Sequence, residues 1–255
     1  MILYFSGTGN SRWVAQQLAA VSKERVYDLA GLFLSDVYEL EKGEPLGFVF
    51  PVHAWGPPEM VMRCISQLKL SSAPDYVYFV CTCGDDTGKT EELFCKVVSR
   101  RGWRCEAGFS IVMPNTYVCL PGFDVDAETV EKEKCGKAKE RLALVEERVF
   151  WKKHGFDCKE GRMPWLKTYV LRPLFIRFLM SAKAFHVTDA CISCGECGKV
   201  CPVHNIRMIS GRPLWGDDCT MCLACYHHCP KHAVAYGRQT AKKGQYIFHK
   251  ESVGR

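Results

Sequence analysis

Eight cysteines crowded into residues 191–229 carry the strongest chemical signal in the chain. Cys191, Cys194, Cys197 and Cys201 run into Pro202, and Cys219, Cys222, Cys225 and Cys229 run into Pro230, so C-x2-C-x2-C-x3-C-P occurs twice. Three thiolates spaced by three residues can wrap one corner of a cubane iron–sulfur cluster. The fourth, just ahead of a turn-forming proline, points toward a neighbouring cluster. This geometry assigns Cys191, Cys194, Cys197 and Cys229 to one [4Fe–4S] cluster, and Cys219, Cys222, Cys225 and Cys201 to a second. Structural zinc does not suit the spacing, because it takes four ligands, usually as two separated pairs. Gly195 and Ala224 keep side-chain bulk low between ligands, which leaves room for backbone N–H bonds to sulfur.

A second group of residues suits an anion. Ser6-Gly7-Thr8-Gly9-Asn10-Ser11 follows the apolar run 2–5 and precedes a helical pattern with Val14, Leu18 and Val21. Small and hydroxyl-bearing residues at a helix N-terminus cradle a phosphate with backbone N–H groups, hydroxyls and the helix dipole. Neither the dinucleotide fingerprint G-x-G-x-x-G nor the Gly-Lys-Ser/Thr of a triphosphate loop is present here.

The elements that must position this loop read as strands over 46–52, 76–83 and 109–113, with helices near 58–68 and 89–100 and a long closing helix over 127–150. Strands alternating with helices imply a parallel, doubly wound α/β sheet. Ligands of such sheets bind beyond the carboxyl ends of the strands. The stretches that follow the second and third strands are therefore candidate ligand contacts.

The loop resembles the phosphate loop S-x-T-G-N-T of flavodoxins, with Ser11 in the last position, and residues 186–237 resemble two-cluster ferredoxin domains. In that order the halves are similar to the flavodoxin–ferredoxin fusion proteins found mainly in anaerobes. The resemblance implies FMN with its phosphate on Ser6, Gly7, Thr8, Gly9, Asn10 and Ser11. It further implies flavin contacts from Pro51, Val52, His53, Ala54, Trp55 and Gly56, and from Thr82, Cys83, Gly84 and Asp85. Trp55 matches the aromatic that stacks on the isoalloxazine. The second aromatic that many flavodoxins carry after the third strand is missing, and Tyr117 or a partner domain is expected to cover that face. Cys81 and Cys83 read as buried small hydrophobes rather than reactive thiols. The implied fold is a flavodoxin-like doubly wound parallel sheet followed by a small α+β two-cluster ferredoxin-like domain.

The 255 residues hold 16 cysteines, a load that suits a reducing compartment. No signal peptide is read at Met1, so the expected location is cytoplasmic. The expected division is a flavin domain over 1–150, a connector over 151–184, a cluster domain over 185–237 and a basic tail over 238–255. Their formal charges differ: residues 1–150 are net −4, 151–184 net +6 and 185–255 net +4. Such basic segments either stay solvated or dock an acidic redox partner. No nucleic-acid-binding signature accompanies them.

Residues 163–185 mix apolar side chains with a basic residue every five or six positions, so they do not span a membrane. The expectation is a connector packing its apolar side on the first domain, kinked at Pro173, with a place on a membrane surface as the alternative. Nothing resembles a general base, a nucleophile triad or a catalytic metal site. The function read is electron transfer between FMN and two [4Fe–4S] clusters, as a carrier or electron-transfer subunit for a redox partner protein. The alternatives are a flavoenzyme fed by the clusters and, below it, a redox or oxygen sensor.

Overall fold

The computed structural model describes residues 1–240 and 242–248. Five strands carry the main sheet: β1 (Ile2–Tyr4), β2 (Val26–Asp28), β3 (Leu46–Pro51), β4 (Val77–Cys83) and β5 (Cys105–Val112). A sixth, β6 (Gly155–Asp157), closes one edge, and the order is β2-β1-β3-β4-β5-β6 with every pair parallel. The first five strands thus run 2-1-3-4-5, the flavodoxin-like doubly wound order.

Parallel strands buried on both faces should be apolar at every position, and β4 is buried at each of its seven residues. Alternate side chains feed two cores. Ile2, Val49, Tyr78, Val80, Phe109 and Ile111 face helices α1 (Asn10–Ser22) and α4 (Glu128–Phe150). Leu3, Phe48, Phe50, Val77 and Phe79 face α2 (Glu59–Gln67) and α3 (Thr90–Ser99). The second core centres on a ring cluster in which Phe79 and Phe94 lie 4.7 Å apart. Truncating either fully buried ring should cost about 3–5 kcal/mol.

Three expectations need correction. Val21, expected on the apolar stripe of α1, is exposed near the helix C-terminus. The span read as a connector begins inside the sheet, since β6 pairs with β5 through Ala107, Gly108 and Phe109. Pro173 stands at the second position of the last helical segment rather than in a helix interior. The run 164–179, here α5, passes from Pro164–Leu166 through a π-turn at Lys167–Leu171 into Arg172–Leu179. The wider turn stands just ahead of the residue that cannot donate an N–H, which absorbs the mismatch.

The C-terminal half is a small α+β unit. β7 (Phe185–Val187) pairs antiparallel with β10 (Val234–Tyr236), and β8 (Ile206–Ile209) pairs antiparallel with β9 (Arg212–Trp215). Helices α6 (Glu196–Lys199) and α7 (Ala224–His227) follow the second cysteine of each run. This unit docks on the sheet through a core that takes in Val118 and Cys119 from the loop after β5.

The stretch read as the start of a basic tail is built into the fold. Tyr246 and Phe248 are buried in the core beside α1, where the Phe248 ring lies 5.2 Å from Trp13. Lys243 donates to the carbonyls of Val118 and Leu120. The remainder of the tail, residue 241 and residues 249–255, lies outside the described residues.

Candidate functional site

The loop 6–11 leaves β1 and enters α1 through Gly9, whose φ of 103° favours glycine. Its side chains are fixed from three directions. The Gly9 N–H donates to Ser6 Oγ at 3.0 Å, and Ser11 Oγ pairs with Thr82 Oγ1 at 2.8 Å. Asn10 donates to the Pro114 carbonyl and accepts from the Tyr246 hydroxyl at 2.8 Å. The Phe248 N–H then caps the Thr8 carbonyl. Every polar side chain of the loop except the Thr8 hydroxyl is thereby oriented by a named partner.

Ser6, Gly7, Thr8, Asn10 and Ser11 line one end of a cavity at the carboxyl ends of β1, β3 and β4. The cavity continues along Pro51, Val52, His53, Cys83 and Gly84 to Ala54, Trp55 and Asp85. Thr82 and Tyr117 also line it. Gly9 and Gly56 stand apart from it: Gly9 turns beneath Phe248, and Gly56 faces the Arg172 guanidinium. Tyr117 packs against Phe123 and Phe175 and keeps its buried hydroxyl unpartnered. Cys81 and Cys83 are buried, and burial pushes the Cys83 thiol up to about 12, so it stays protonated.

Ala54 and Trp55 both take positive φ, 47° and 58°, a strained conformation for residues with side chains. Helix α5 holds them there. Arg172 donates to the carbonyls of His53, Ala54 and Pro57, and Thr168 donates to the Trp55 carbonyl at 3.0 Å. Burial lowers the Arg172 pKa to about 10, which leaves the guanidinium charged among carbonyl dipoles. Lys167 pairs with Asp86 and lies 5.8 Å from the Trp55 ring centroid. His53 is held near a pKa of about 4 by burial and then by the Arg172 charge, so its ring is neutral.

Sequence reasoning missed part of this wall. Asn115 and Thr116 were within reach, since they follow a recognised strand end. Lys167, Phe175, Met180, Met221 and Leu223 arrive from the second half of the chain, and no local signal marks where those segments dock.

The eight cysteines of the two runs surround two further cavities. Cys191, Cys194, Cys197 and Cys229 line one, and Cys201, Cys219, Cys222 and Cys225 line the other. Each set combines three cysteines of one run with the fourth of the other. The backbone repeats across the two halves. Ser193 and Gly195 have positive φ in the first run, Met221 and Leu223 in the second, and His204 and His232 stand three residues past the fourth cysteine of each. Gly195 therefore serves its φ of 74° rather than tight space, since a Cβ there would meet nothing within 4 Å.

Backbone N–H groups reach the sulfurs in matching fashion. Asn205 donates to Cys201 Sγ at 3.3 Å and Ala233 to Cys229 Sγ at 3.2 Å. Trp215 Nε1 and Thr220 Oγ1, beside the second set of cysteines, are buried without a hydrogen-bond partner. Donors aimed at sulfur are what a cluster's sulfurs need. Among the described residues, no three His, Cys, Asp or Glu groups converge on a single metal ion.

One of the eight cysteines reaches the first cavity. Cys222 lines it beside the loop, and a Cβ on Gly7 would stand 2.5 Å from the Cys222 carbonyl oxygen.

Comparison with known proteins bears on the second half first. Residues 190–234 match the 4Fe-4S dicluster domain family. This stretch of the chain is thus similar to 4Fe–4S dicluster domains, and it follows a doubly wound parallel sheet of flavodoxin-like order. A search among curated proteins found no match.

Solved structures similar to this chain include a flavodoxin from Streptococcus pneumoniae, at 17% identity and TM-score 0.35 over 56% of this chain and 97% of that one. Another is an NAD(P)H:quinone oxidoreductase from Methanothermobacter marburgensis, at 12% identity and TM-score 0.35 over 60% and 95% of the respective chains. An azoreductase from Bacillus anthracis is similar at 10% identity and TM-score 0.34, over 59% and 96%. Likenesses this distant carry no argument about what this chain binds. Among the described residues, no helix is long and apolar enough to cross a membrane.

Proposed function

We propose that the chain holds FMN in the cavity beside loop 6–11 and two [4Fe–4S] clusters on its eight C-terminal cysteines, and passes electrons between them for a redox partner protein. FMN can take one or two electrons and each cluster takes one, so together they supply a converter between electron pairs and single electrons. The observation that carries the reading is the position of Cys222, which lines the cavity and presses its carbonyl on Gly7.

Ser6, Thr8 and the backbone of the loop hold the phosphate, and Trp55, on its strained turn, faces the flavin ring. The set Cys219, Cys222, Cys225 and Cys201 holds the cluster nearer the cavity. Cys191, Cys194, Cys197 and Cys229 hold the outer one, next to exposed Cys194. The boundaries that go with this reading are a flavin domain that includes β6 and a cluster domain that begins near β7.

Anaerobic reconstitution tests the whole assignment. The expected product contains about eight iron, eight acid-labile sulfides and one FMN per chain. Thr8→Glu should expel the FMN and leave the iron in place. Full FMN occupancy in Thr8→Glu, or zinc without sulfide in the wild type, would contradict the proposal.

A second reading, a flavoenzyme fed by the clusters, draws on the cavity's extent. It continues past Trp55 to Phe123, Phe175 and Met180 and encloses about 360 Å³, within the range of small-molecule sites. Reduction of the reconstituted protein by NAD(P)H alone would favour that reading. Reduction only by a low-potential protein donor would favour the carrier.

A further inference from the structure

Helix α5 is amphipathic in the wrong sense for a connector. The side chains it buries against the sheet domain are polar: Thr168 is 2% exposed and Arg172 6%. Its large apolar side chains face outward, with Trp165 62%, Leu174 51% and Phe178 66% exposed, and Val170, Leu171 and Ile176 exposed beside them. Of the apolar side expected to pack on the first domain, α5 brings Phe175 against Tyr117 and leaves most of the rest outward. The two buried residues are spent on the carbonyls of the 53–57 turn, which dictates the face that points inward. An exposed apolar surface of this extent marks an interaction site.

Charge identifies the occupant. From residue 161 to residue 188 there is no Asp or Glu, although the chain holds 28 of them, and five basic residues fall in that stretch. Arg172 is buried and Lys167 is paired with Asp86, which leaves Arg162, Arg177 and Lys183 exposed around the apolar face. The Arg177 guanidinium lies 5.6 Å from the Phe178 ring centroid, its charge carried beside the apolar surface.

We propose that this face of α5 lies on an anionic phospholipid bilayer, with the apolar side chains in the acyl boundary and Arg162, Arg177 and Lys183 among the headgroups. A groove-binding helix presents a narrow stripe of anchors at i, i+3 or i+4, and i+7. Here the exposed apolar side chains spread beyond one stripe, since Ile176 lies two residues from both Leu174 and Phe178 and so on another side of the helix, and the basic residues beside them favour an anionic surface. Trp165, with Tyr169 5.8 Å away, supplies the amphipathic rings typical of membrane interfaces. The helical run is too short and too basic to cross, so the contact is peripheral. The proposal is independent of what fills the cavity.

Co-sedimentation of the full, cluster-loaded chain with vesicles decides it. The protein should sediment with phosphatidylglycerol vesicles, stay in solution with phosphatidylcholine vesicles, and be released by salt. Arg177→Glu should weaken binding to the anionic vesicles roughly tenfold. Leu174→Glu with Phe178→Glu should abolish it while leaving the iron content unchanged, which shows that the variant is folded. Three results would overturn the proposal. The first is wild-type protein that stays in solution with both lipids, and the second is a double variant that sediments like the wild type. The third is a lipid-free dimer, or a complex with an acidic protein, that the double variant dissolves while vesicle binding is absent.

Discussion

At the scale of single residues, the site depends on close approaches that leave no room for error. Gly7 is the plainest. A methyl group there would collide with the backbone carbonyl of Cys222, which cannot rotate away as a side-chain end could. Gly7→Ala should therefore cost about 1–3 kcal/mol, read as a lower Tm, and should reduce FMN occupancy before iron content falls.

Asp126 shows how charge supports the same wall. Its carboxylate accepts from the Asn115 N–H and side-chain amide and pairs with Lys134 at 2.7 Å. Burial alone would raise its pKa, but these partners outweigh burial and hold it below the ordinary 3.8. The stabilisation is therefore present above that value and is lost as pH falls through the lower, folded one. Asp126→Asn should destabilise the protein by about 1–2 kcal/mol at neutral pH, and the gap in Tm between the two proteins should begin to narrow below about pH 4.

At the scale of elements, the central prediction concerns α5 as a clamp on the 53–57 turn. Arg172→Met would strip three carbonyls of their donor and free two residues held at positive φ. We expect a loss of about 2–4 kcal/mol, a changed Trp55 emission and weaker FMN retention. Arg172→Lys should recover only part of this, since one ammonium cannot reproduce the guanidinium fork.

The same helix marks the limit of what the sequence made legible. Strands β3 and β4 were readable because each is a long apolar run, β5 only over its apolar end from Phe109, and the cysteine runs because their spacing has few other uses. Strands β2 and β6, three residues each, are too short to show a period. The docking face of α5 was misread in large part because hydrophobicity marked its outward side, whereas two polar residues determine its seat. For loop 6–11 the motif identified the residues, and Asp86, Asn115 and Thr116 lay just past recognised strand ends, but the walls brought by α5 and residues 221–223 depend on tertiary packing.

At the scale of the whole molecule, the two halves form one continuous unit. Cys201→Ser should perturb the cluster of Cys219, Cys222 and Cys225 and largely spare the other, and Cys229→Ser should do the reverse. Spectroscopy that separates the clusters by potential checks both, and damage confined to each variant's own run would reverse the ligand sets. The stretch 242–248 then ties the cluster half back to α1, and Tyr246→Phe should leave Asn10 Oδ1 buried without its donor, at a cost of about 1–3 kcal/mol. That tie has a consequence for synthesis. Loop 6–11 is translated well ahead of its supports: Asn10 waits for a partner 236 residues further along the chain, and Thr8 waits for Phe248. Cys222, the wall across from Gly7, also comes late. A loop translated early is therefore completed late, and a nascent chain of the sheet domain alone carries it half-built and open.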